Sequence, residues 1–304
     1  YRLVVMEIRL GMSPISWSND DLPHLGGNTP LEMCLRETRL AGFTGTETGG
    51  KFPKKAGALS NVLKKHDLSL VSGWYSGTLI QNDIKSEIKQ ITPQLTLFKE
   101  VGASVIVYGE TYKTIQNQQS RPLSSRITLT EFDVAEYGKK LTILAEHCAE
   151  QGVPLTFHHH MGTAVETEGE INSLMANTGG AVGLLLDTGH LLFGGGNISS
   201  VISNHGNRIN HVHTKDVRRQ VMNSINHQKD SFLDCVLEGI FTVPGDGMID
   251  YEEVMQQLYK VGYEGWVIIE AEQDPAKANP LEYAKIGFNA LDRARRNAGY
   301  QLRA

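Results

Sequence analysis

The segment LLLDTGH at residues 184–190 is a short apolar run that ends in an aspartate, a glycine and a histidine. Three more segments share this layout: LTFHHH at 155–160, INHVHTKD at 209–216 and VIIEAEQD at 267–274. In a parallel barrel, the carboxyl ends of the strands meet on one face, where active sites form. Imidazoles and carboxylates from four strand ends on one rim are typical of a divalent-metal site.

Strand-like and helix-like segments alternate along the chain, which implies parallel βαβ units. Eight strands are predicted, at residues 9–16, 43–48, 68–74, 105–109, 154–160, 182–187, 209–214 and 265–271. This number predicts a single (β/α)8 TIM barrel over residues 1–304, with residues 1–5 interpreted as an expression scar or an upstream extension. A doubly wound open sheet is the alternative, but it would need an early Gly-rich phosphate loop, and GMSP at 11–14 is not one.

Helix starts and one long loop complete the predicted organisation. Thr29 is expected to cap a helix over residues 30–41. Asn279 is expected to cap the last helix and Asp250 the helix before it, each with an acid three residues later. The loop at residues 111–129, rich in Thr, Gln and Ser, follows the fourth strand, on the side of a barrel where lids and substrate contacts occur.

Composition limits the classes of function. The 304 residues carry a formal net charge of −5, and adjacent basic residues occur only in pairs, such as Arg218 with Arg219, which argues against a nucleic-acid surface. Three distant cysteines predict ordinary buried thiols in a reducing compartment. No apolar run approaches a membrane span and the start has no signal-peptide core, so we expect a cytoplasmic protein. Whether it forms a homo-oligomer stays open.

The fifth and sixth strand ends offer several candidate metal ligands. Because strand side chains alternate, His158 and His160 share one face, and which of them binds a metal stays open. Asp187 is suited to a ligand role, although an aspartate there also commonly caps the next helix. His190, three residues on and after an expected glycine turn, is a candidate ligand or acid/base group.

The seventh strand and the segment after it add further candidates. His211, His213 and Lys215 share one strand face and point at the same rim. Lys215 is then placed to orient substrate or to transfer a proton. Arg218 is a candidate for holding a hydroxyl or carbonyl oxygen, with a solvated loop charge as the alternative.

The last strand ends in two acids on one face, Glu270 and Glu272. Two carboxylates near a barrel axis need a cation, because an uncompensated buried carboxylate protonates or destabilises the fold. A divalent metal is the expected partner of one, and the other is a candidate acid or base.

Earlier strands supply candidate substrate contacts. Trp17 and Trp74 are expected to form apolar walls, unless they are ordinary core aromatics. Glu47 and Glu110 are expected to contact substrate hydroxyls, unless they are solvated loop residues.

Five segments together resemble the inosose dehydratases of bacterial inositol catabolism: HHHMGT at 158–163, DTGH at 187–190, HVHTKD at 211–216, VPGDG at 243–247 and EAEQDP at 270–275. These enzymes belong to the xylose-isomerase-like barrel superfamily, which includes sugar epimerases and endonuclease-IV-type enzymes. DTGH and His-x-His are common to the superfamily, whereas the triple histidine and EAEQDP indicate the dehydratase branch. The superfamily resemblance covers nearly the whole chain.

The resemblance implies a metal site and its ligands. The superfamily's Glu, Asp, His and Glu become His158, Asp187, His213 and Glu270 by position. The first is a departure, since histidine replaces glutamate. Two imidazoles and two carboxylates favour Mn²⁺, Co²⁺, Fe²⁺ or Zn²⁺ over Mg²⁺, and the resemblance selects Mn²⁺ or Co²⁺.

The implied reaction is loss of water from a cyclitol ketone, 2-keto-myo-inositol, to give a trihydroxycyclohexane-dione. One group removes an α-proton and another protonates the departing hydroxyl. The candidates for these two roles are His190, Glu272, Lys215 and His160.

Three other readings compete with the dehydratase. A sugar epimerase or isomerase on the same barrel would commonly keep glutamate at position 158. An endonuclease-IV-like enzyme would need histidines on the second and third strands, where residues 43–50 and 68–77 contain none. A non-enzymatic sugar-binding barrel would have no reason to keep so many acid/base groups.

Overall fold

The structure, a computed structural model, describes residues 5–304, so residues 1–4 of the expected scar or extension lie outside the described residues. Its strands in chain order are β1 (Glu7–Met12), β2 (Gly45–Thr48), β3 (Ser69–Gly77), β4 (Ile106–Glu110), β5 (Leu155–His158), β6 (Gly183–Asp187), β7 (Ile209–Thr214), β8 (Asp216–Val217), β9 (Phe241–Thr242), β10 (Gly265–Ile269) and β11 (Gln301–Leu302). Strands β1 to β7 and β10 pair in parallel in sequence order. Because β10 also pairs with β1, from Ile8 opposite Gly265 to Met12 opposite Ile269, the sheet closes and the predicted (β/α)8 barrel is confirmed.

The described helices are α1 (Leu31–Leu40), α2 (Ala56–Lys65), α3 (Ile84–Val101), α4 (Glu131–Glu150), α5 (Glu168–Ala176), α6 (Thr188–Phe193), α7 (Ile198–His205), α8 (Arg219–Ser224), α9 (Phe232–Leu237), α10 (Tyr251–Lys260) and α11 (Pro280–Ala298). Asn279 and Asp250 cap α11 and α10 as predicted. The expected cap at Thr29 is wrong. Pro30 occupies the cap position of α1 in an extended conformation, so no side chain caps this helix.

Several strands end earlier than predicted. The strand expected at 9–16 stops at Met12, because Pro14 begins a 3-10 helix (Pro14–Ser16) and has no N–H to donate to a ladder. Strand β5 ends at His158 and β10 at Ile269. His160, Glu270 and Glu272 therefore lie on loops just beyond the strand ends.

An insertion between β7 and α10 was not predicted. It contains the antiparallel pair β8–β9 and the short helices α8 and α9. Its buried side chains, including Phe232 and Phe241, form a second apolar cluster with Phe193 of α6. This cluster packs beside the rim of the barrel and forms one side of the site described below.

The barrel interior is filled by side chains, as is usual for this architecture. Arg9 lies over the Trp266 ring, 4.0 Å from its centroid. Gly45 makes room for that ring, since a Cβ there would lie 2.5 Å from Trp266 Cη2. The three cysteines are buried and unbridged, as expected. Among the described residues, no helix has both the length and the apolar character that a bilayer crossing requires.

Candidate metal centre and cleft

Four side chains meet at the C-terminal ends of β5, β6, β7 and β10. The donor atoms that His158, Asp187, His213 and Glu270 offer lie within 4.8 Å of one another. His158 Nε2 is 3.5 Å from Asp187 Oδ2, and His213 Nδ1 is 3.4 Å from Glu270 Oε2. The structure thus brings together the four residues expected to bind metal, with His158 and not His160 in this group.

The donor atoms of this group fit a divalent cation. Asp187 Oδ2 and His213 Nδ1 are buried and have no hydrogen-bond partner among the described residues. Leaving a buried polar atom unpaired costs about 1–3 kcal/mol, so two of them facing one point call for a bound group. Two imidazoles and two carboxylates suit Zn²⁺ and the neighbouring transition metals.

Glu47 lies against His213 and His211. Its Oε1 is 2.8 Å from His213 Nε2 without forming a hydrogen bond, and its Oε2 is 3.2 Å from His211 Nε2. Ser72 also donates to the same carboxylate. A carboxylate held against one ring nitrogen leaves the other nitrogen free for a metal. Glu47 is buried and does not line the cleft, and the expected contact with substrate hydroxyls stays a prediction.

Asp187 has two functions, one for each carboxylate oxygen. Oδ1 accepts hydrogen bonds from the backbone N–H groups of Gly189 (3.0 Å) and His190 (2.9 Å), which caps α6. Helix α6 begins at Thr188, so the expected glycine turn is wrong. Burial opposes ionisation, but the charge of Lys215 and the nearby imidazoles hold the pKa of Asp187 below its usual range.

Lys215 connects the acids of the centre. Its Nζ is 2.6 Å from Glu272 Oε1, 2.9 Å from Glu270 Oε1 and 3.0 Å from His190 Nε2. Burial alone would lower the pKa of this lysine, but the carboxylates around it raise the pKa above its usual range. Burial raises the pKa of Glu272 to about 7, against the opposing charge of Lys215.

His160 and His190 form a second layer beside the centre, with ring centroids 3.7 Å apart. The backbone N–H of Met161 donates to His190 Nδ1 (3.1 Å), and Lys215 Nζ lies 3.0 Å from the other ring nitrogen, Nε2. His160 Nδ1 is 2.7 Å from the Met161 carbonyl oxygen, which leaves its Nε2 free. Burial lowers the pKa of His160 to about 3, so this imidazole is neutral.

A cleft of about 690 Å³ opens above the centre. His158, His160, Glu270 and Glu272 line it, whereas His190 and Lys215 lie behind these residues. The loop expected at 111–129 supplies one wall, through residues 111–118.

The two tryptophans expected as walls also line the cleft. The Trp74 ring lies edge-on to His158 at a centroid distance of 5.5 Å. Trp17 is almost fully buried and donates its indole N–H to Glu37 (2.7 Å).

The sequence is similar to those of several known proteins. Residues 35–294 match the family model described as a xylose isomerase-like TIM barrel. The chain is 44% identical over 282 residues to the inosose dehydratase of Geobacillus thermodenitrificans, which covers 91% of this chain and 94% of that protein. The chain belongs to the inosose dehydratase family of these barrels. It is also 49% identical over 298 residues to the rhizopine catabolism protein MocC of Rhizobium meliloti, covering 98% of this chain and 92% of that protein.

Solved structures agree on the fold of this inosose dehydratase family member. IolI protein with a bound zinc atom superposes with a TM-score of 0.65 over 96% of this chain and 98% of that chain, at 17% sequence identity. At this identity the likeness establishes the barrel alone. The resemblance to inosose dehydratases drawn from the sequence motifs is confirmed by the close relatives.

Two residues expected at the substrate lie elsewhere in this inosose dehydratase family member. Arg218 donates to the carbonyl oxygens of Gly239 (2.8 Å) and Phe241 (3.0 Å) and holds β8 to β9. Glu110 is buried, and its carboxylate accepts hydrogen bonds from the backbone N–H groups of Ile80 and Tyr112, each at 3.1 Å. Neither lines the cleft, and the expected substrate contacts of Arg218 and Glu110 stay predictions.

Sequence reasoning missed most of the cleft wall, and two of the missed residues are Gln116 and Lys51. Gln116 belongs to the wall formed by residues 111–118, and only the polar composition of that loop hinted at it. Lys51 carries no motif, yet its Nζ donates to the carbonyl oxygens of Gly26 (3.0 Å), Gly27 (3.1 Å) and Thr29 (2.5 Å). It fastens the loop after β1 to the loop after β2, and both loops line the cleft.

Proposed function

We propose that this chain is a metal-dependent hydro-lyase that removes water from 2-keto-myo-inositol to give a trihydroxycyclohexane-dione. Curated relatives at 40–44% identity over at least 91% of the chain carry the name inosose dehydratase. The observation that carries the proposal is the group of His158, Asp187, His213 and Glu270 beneath an open cleft, with Glu272 beside it.

The proposed cofactor is one divalent cation held by His158, Asp187, His213 and Glu270. When bound, it supplies Lewis acidity that polarises the ketone and makes the neighbouring C–H more acidic. Mn²⁺ or Co²⁺ is proposed over Mg²⁺, because imidazole ligands disfavour a cation that prefers oxygen shells.

The reaction also needs a proton acceptor for the α C–H and a proton donor for the departing hydroxyl. Glu272 and His160 line the cleft, so they are proposed to touch the substrate in these two roles. His190 and Lys215 lie one layer deeper. Lys215 donates to Glu272, and the His190 ring packs at a tilt against the His160 ring, so these two residues are proposed to hold the reacting groups and their protons in place.

The deciding experiment is to incubate metal-loaded protein with 2-keto-myo-inositol and follow the conjugated product by ultraviolet absorbance. Wild-type protein is expected to produce the absorbing dione, and Glu270→Gln protein is expected to produce none. An epimerase would exchange the α-proton with solvent and form no absorbing product. Absence of both product and proton exchange in fully metal-loaded protein would rule out the proposed function.

A further inference from the structure

Gln116 is a buried amide on the wall of the cleft that lacks a partner. Its side chain lines the cleft and is only 7% exposed. Its Oε1 is buried and forms no hydrogen bond within the part of the chain that the structure describes. If the amide were turned over, Nε2 would occupy that position instead. In either orientation, a buried polar atom of this wall residue lacks a partner, which is unfavourable.

The position of Gln116 is set by the loop that carries His160. The backbone N–H of Ile115 donates to the carbonyl oxygen of Gly162 (3.0 Å). Gly162 has a φ of +80°, and a Cβ there would lie 2.9 Å from Gln116 N. The backbone of Gln116 therefore rests directly on a glycine two residues after His160. The backbone position from which the side chain extends is thus set by the loop that carries His160.

We propose that Gln116 determines specificity by hydrogen bonding a ring hydroxyl of the substrate, away from the groups that undergo elimination. A hydroxyl both donates and accepts, so it satisfies the amide in either orientation. The polyhydroxylated ring as the ligand class rests on the proposed function. A site built around a buried amide rejects analogues that lack the matching hydroxyl, because the amide is then left unpaired.

The test measures binding separately from turnover. Metal-loaded wild type, Gln116→Leu and Gln116→Met are titrated by calorimetry with myo-inositol, which has no ketone, and with a set of monodeoxy-inositols. Both variants are expected to bind myo-inositol roughly 10-fold more weakly than wild type. One monodeoxy-inositol should bind wild type more weakly than myo-inositol does, by a similar factor. The two variants should bind that monodeoxy-inositol and myo-inositol equally well. Metal content, measured by elemental analysis, should match wild type.

The matched control is Gln119→Leu. Gln119 lies on the same loop but is exposed, and its amide donates to Asp234 (3.0 Å) outside the cleft. The Gln119→Leu protein should bind myo-inositol with the same affinity as wild type.

Two results would overturn the inference: unchanged binding by both Gln116 variants, or an equal loss in the Gln119 control. If wild type fails to dehydrate 2-keto-myo-inositol but the Gln116 variants still lose inositol binding and the deoxy discrimination, the proposed function fails and the hydroxyl contact stands.

Discussion

At the residue scale, Glu270 and Glu272 lie two positions apart but have different neighbours. Glu270 Oε2 is 3.4 Å from His213 Nδ1, one of the unpaired atoms of the centre. Glu272 lies instead in a group with His160 and His190, although Lys215 contacts both acids. The two acids share the same chemistry, so the separate roles proposed for them follow from position alone.

We expect Glu270→Gln to lose bound metal, because the amide offers a weaker ligand at the centre. Glu272→Gln should keep metal near the wild-type level and lower kcat by roughly 10²–10⁴-fold, as for a lost general acid or base. KM should change less than kcat, because the missing interaction is made mainly in the transition state. Elemental analysis and steady-state kinetics measure these quantities. Metal loss in Glu272→Gln would instead make that residue a ligand.

Glu110 predicts a pH dependence of stability. Burial raises its pKa from an ordinary value of 4.5 to about 7. The folded state therefore binds the proton more tightly than the unfolded state, and the free energy of unfolding falls as pH rises from about 4.5 to 7.

The variant Glu110→Gln lacks this titrating group and tests the prediction. Its free energy of unfolding, relative to that of wild type, should be about 1–3 kcal/mol higher at pH 8 than at pH 5. Denaturant unfolding of both proteins at each pH gives this difference. A difference that stays constant with pH would mean that the folded-state pKa is ordinary.

At the scale of elements, Arg126 joins two connections that border the cleft. Its guanidinium lies 2.8 Å from Glu166 and 3.0 Å from Glu170. Glu166 in turn accepts from the backbone N–H of Gly162 (2.9 Å), beside the wall that carries Gln116. Arg126 thereby holds the loop after β4 against the loop after β5.

We expect Arg126→Gln to lower kcat/KM by roughly 10–100-fold, since small displacements of positioned groups are costly. Metal content should not change. The control is Arg39→Gln, which breaks an exposed pair with Asp67 and should leave kcat/KM and stability near wild type. Equal kinetics in the two variants would show that the Arg126 network does not position the cleft.

The parts of this fold that the sequence could predict are those with a periodic or positional signal. Strand β6 is apolar up to its last residue, Asp187, because both of its faces are buried, so its location was clear. The insertion with α8 and α9 was missed because each helix has only 6 residues, too few to show a period.

At the site, the strand ends indicated the candidate metal ligands because they share one rim. The position of Glu47 against His213 could not be predicted, since these two residues are 166 positions apart in the chain. Gln116 likewise depends on Gly162, which belongs to a different connection.

At the scale of the whole molecule, the centre draws its four donors from residues 158–270, whereas most of the cleft wall comes from residues 13–118. A bound cation would therefore link strands β5, β6, β7 and β10. Binding to the folded state alone stabilises that state by mass action.

We expect chelation to lower Tm and to speed amide hydrogen exchange in β5–β7 and β10 more than in β2–β4. Mn²⁺ or Co²⁺ should restore Tm and turnover better than Mg²⁺, because two of the donors are imidazoles. Thermal unfolding and exchange measured by mass spectrometry provide the data. Equal rescue by Mg²⁺, or uniform exchange around the barrel, would argue against this ligand set.

The shared carboxylate of Asp187 has a consequence for anyone who transplants this centre into another barrel. One oxygen is anchored by the first amides of α6, and that anchoring aims the other oxygen at the centre. Copying four side chains onto four strand ends would leave that aspartate free to rotate. A design that transfers this centre must include the start of α6 together with Asp187. The smallest segment to transfer is therefore a strand, the acid at its end and the helix that follows.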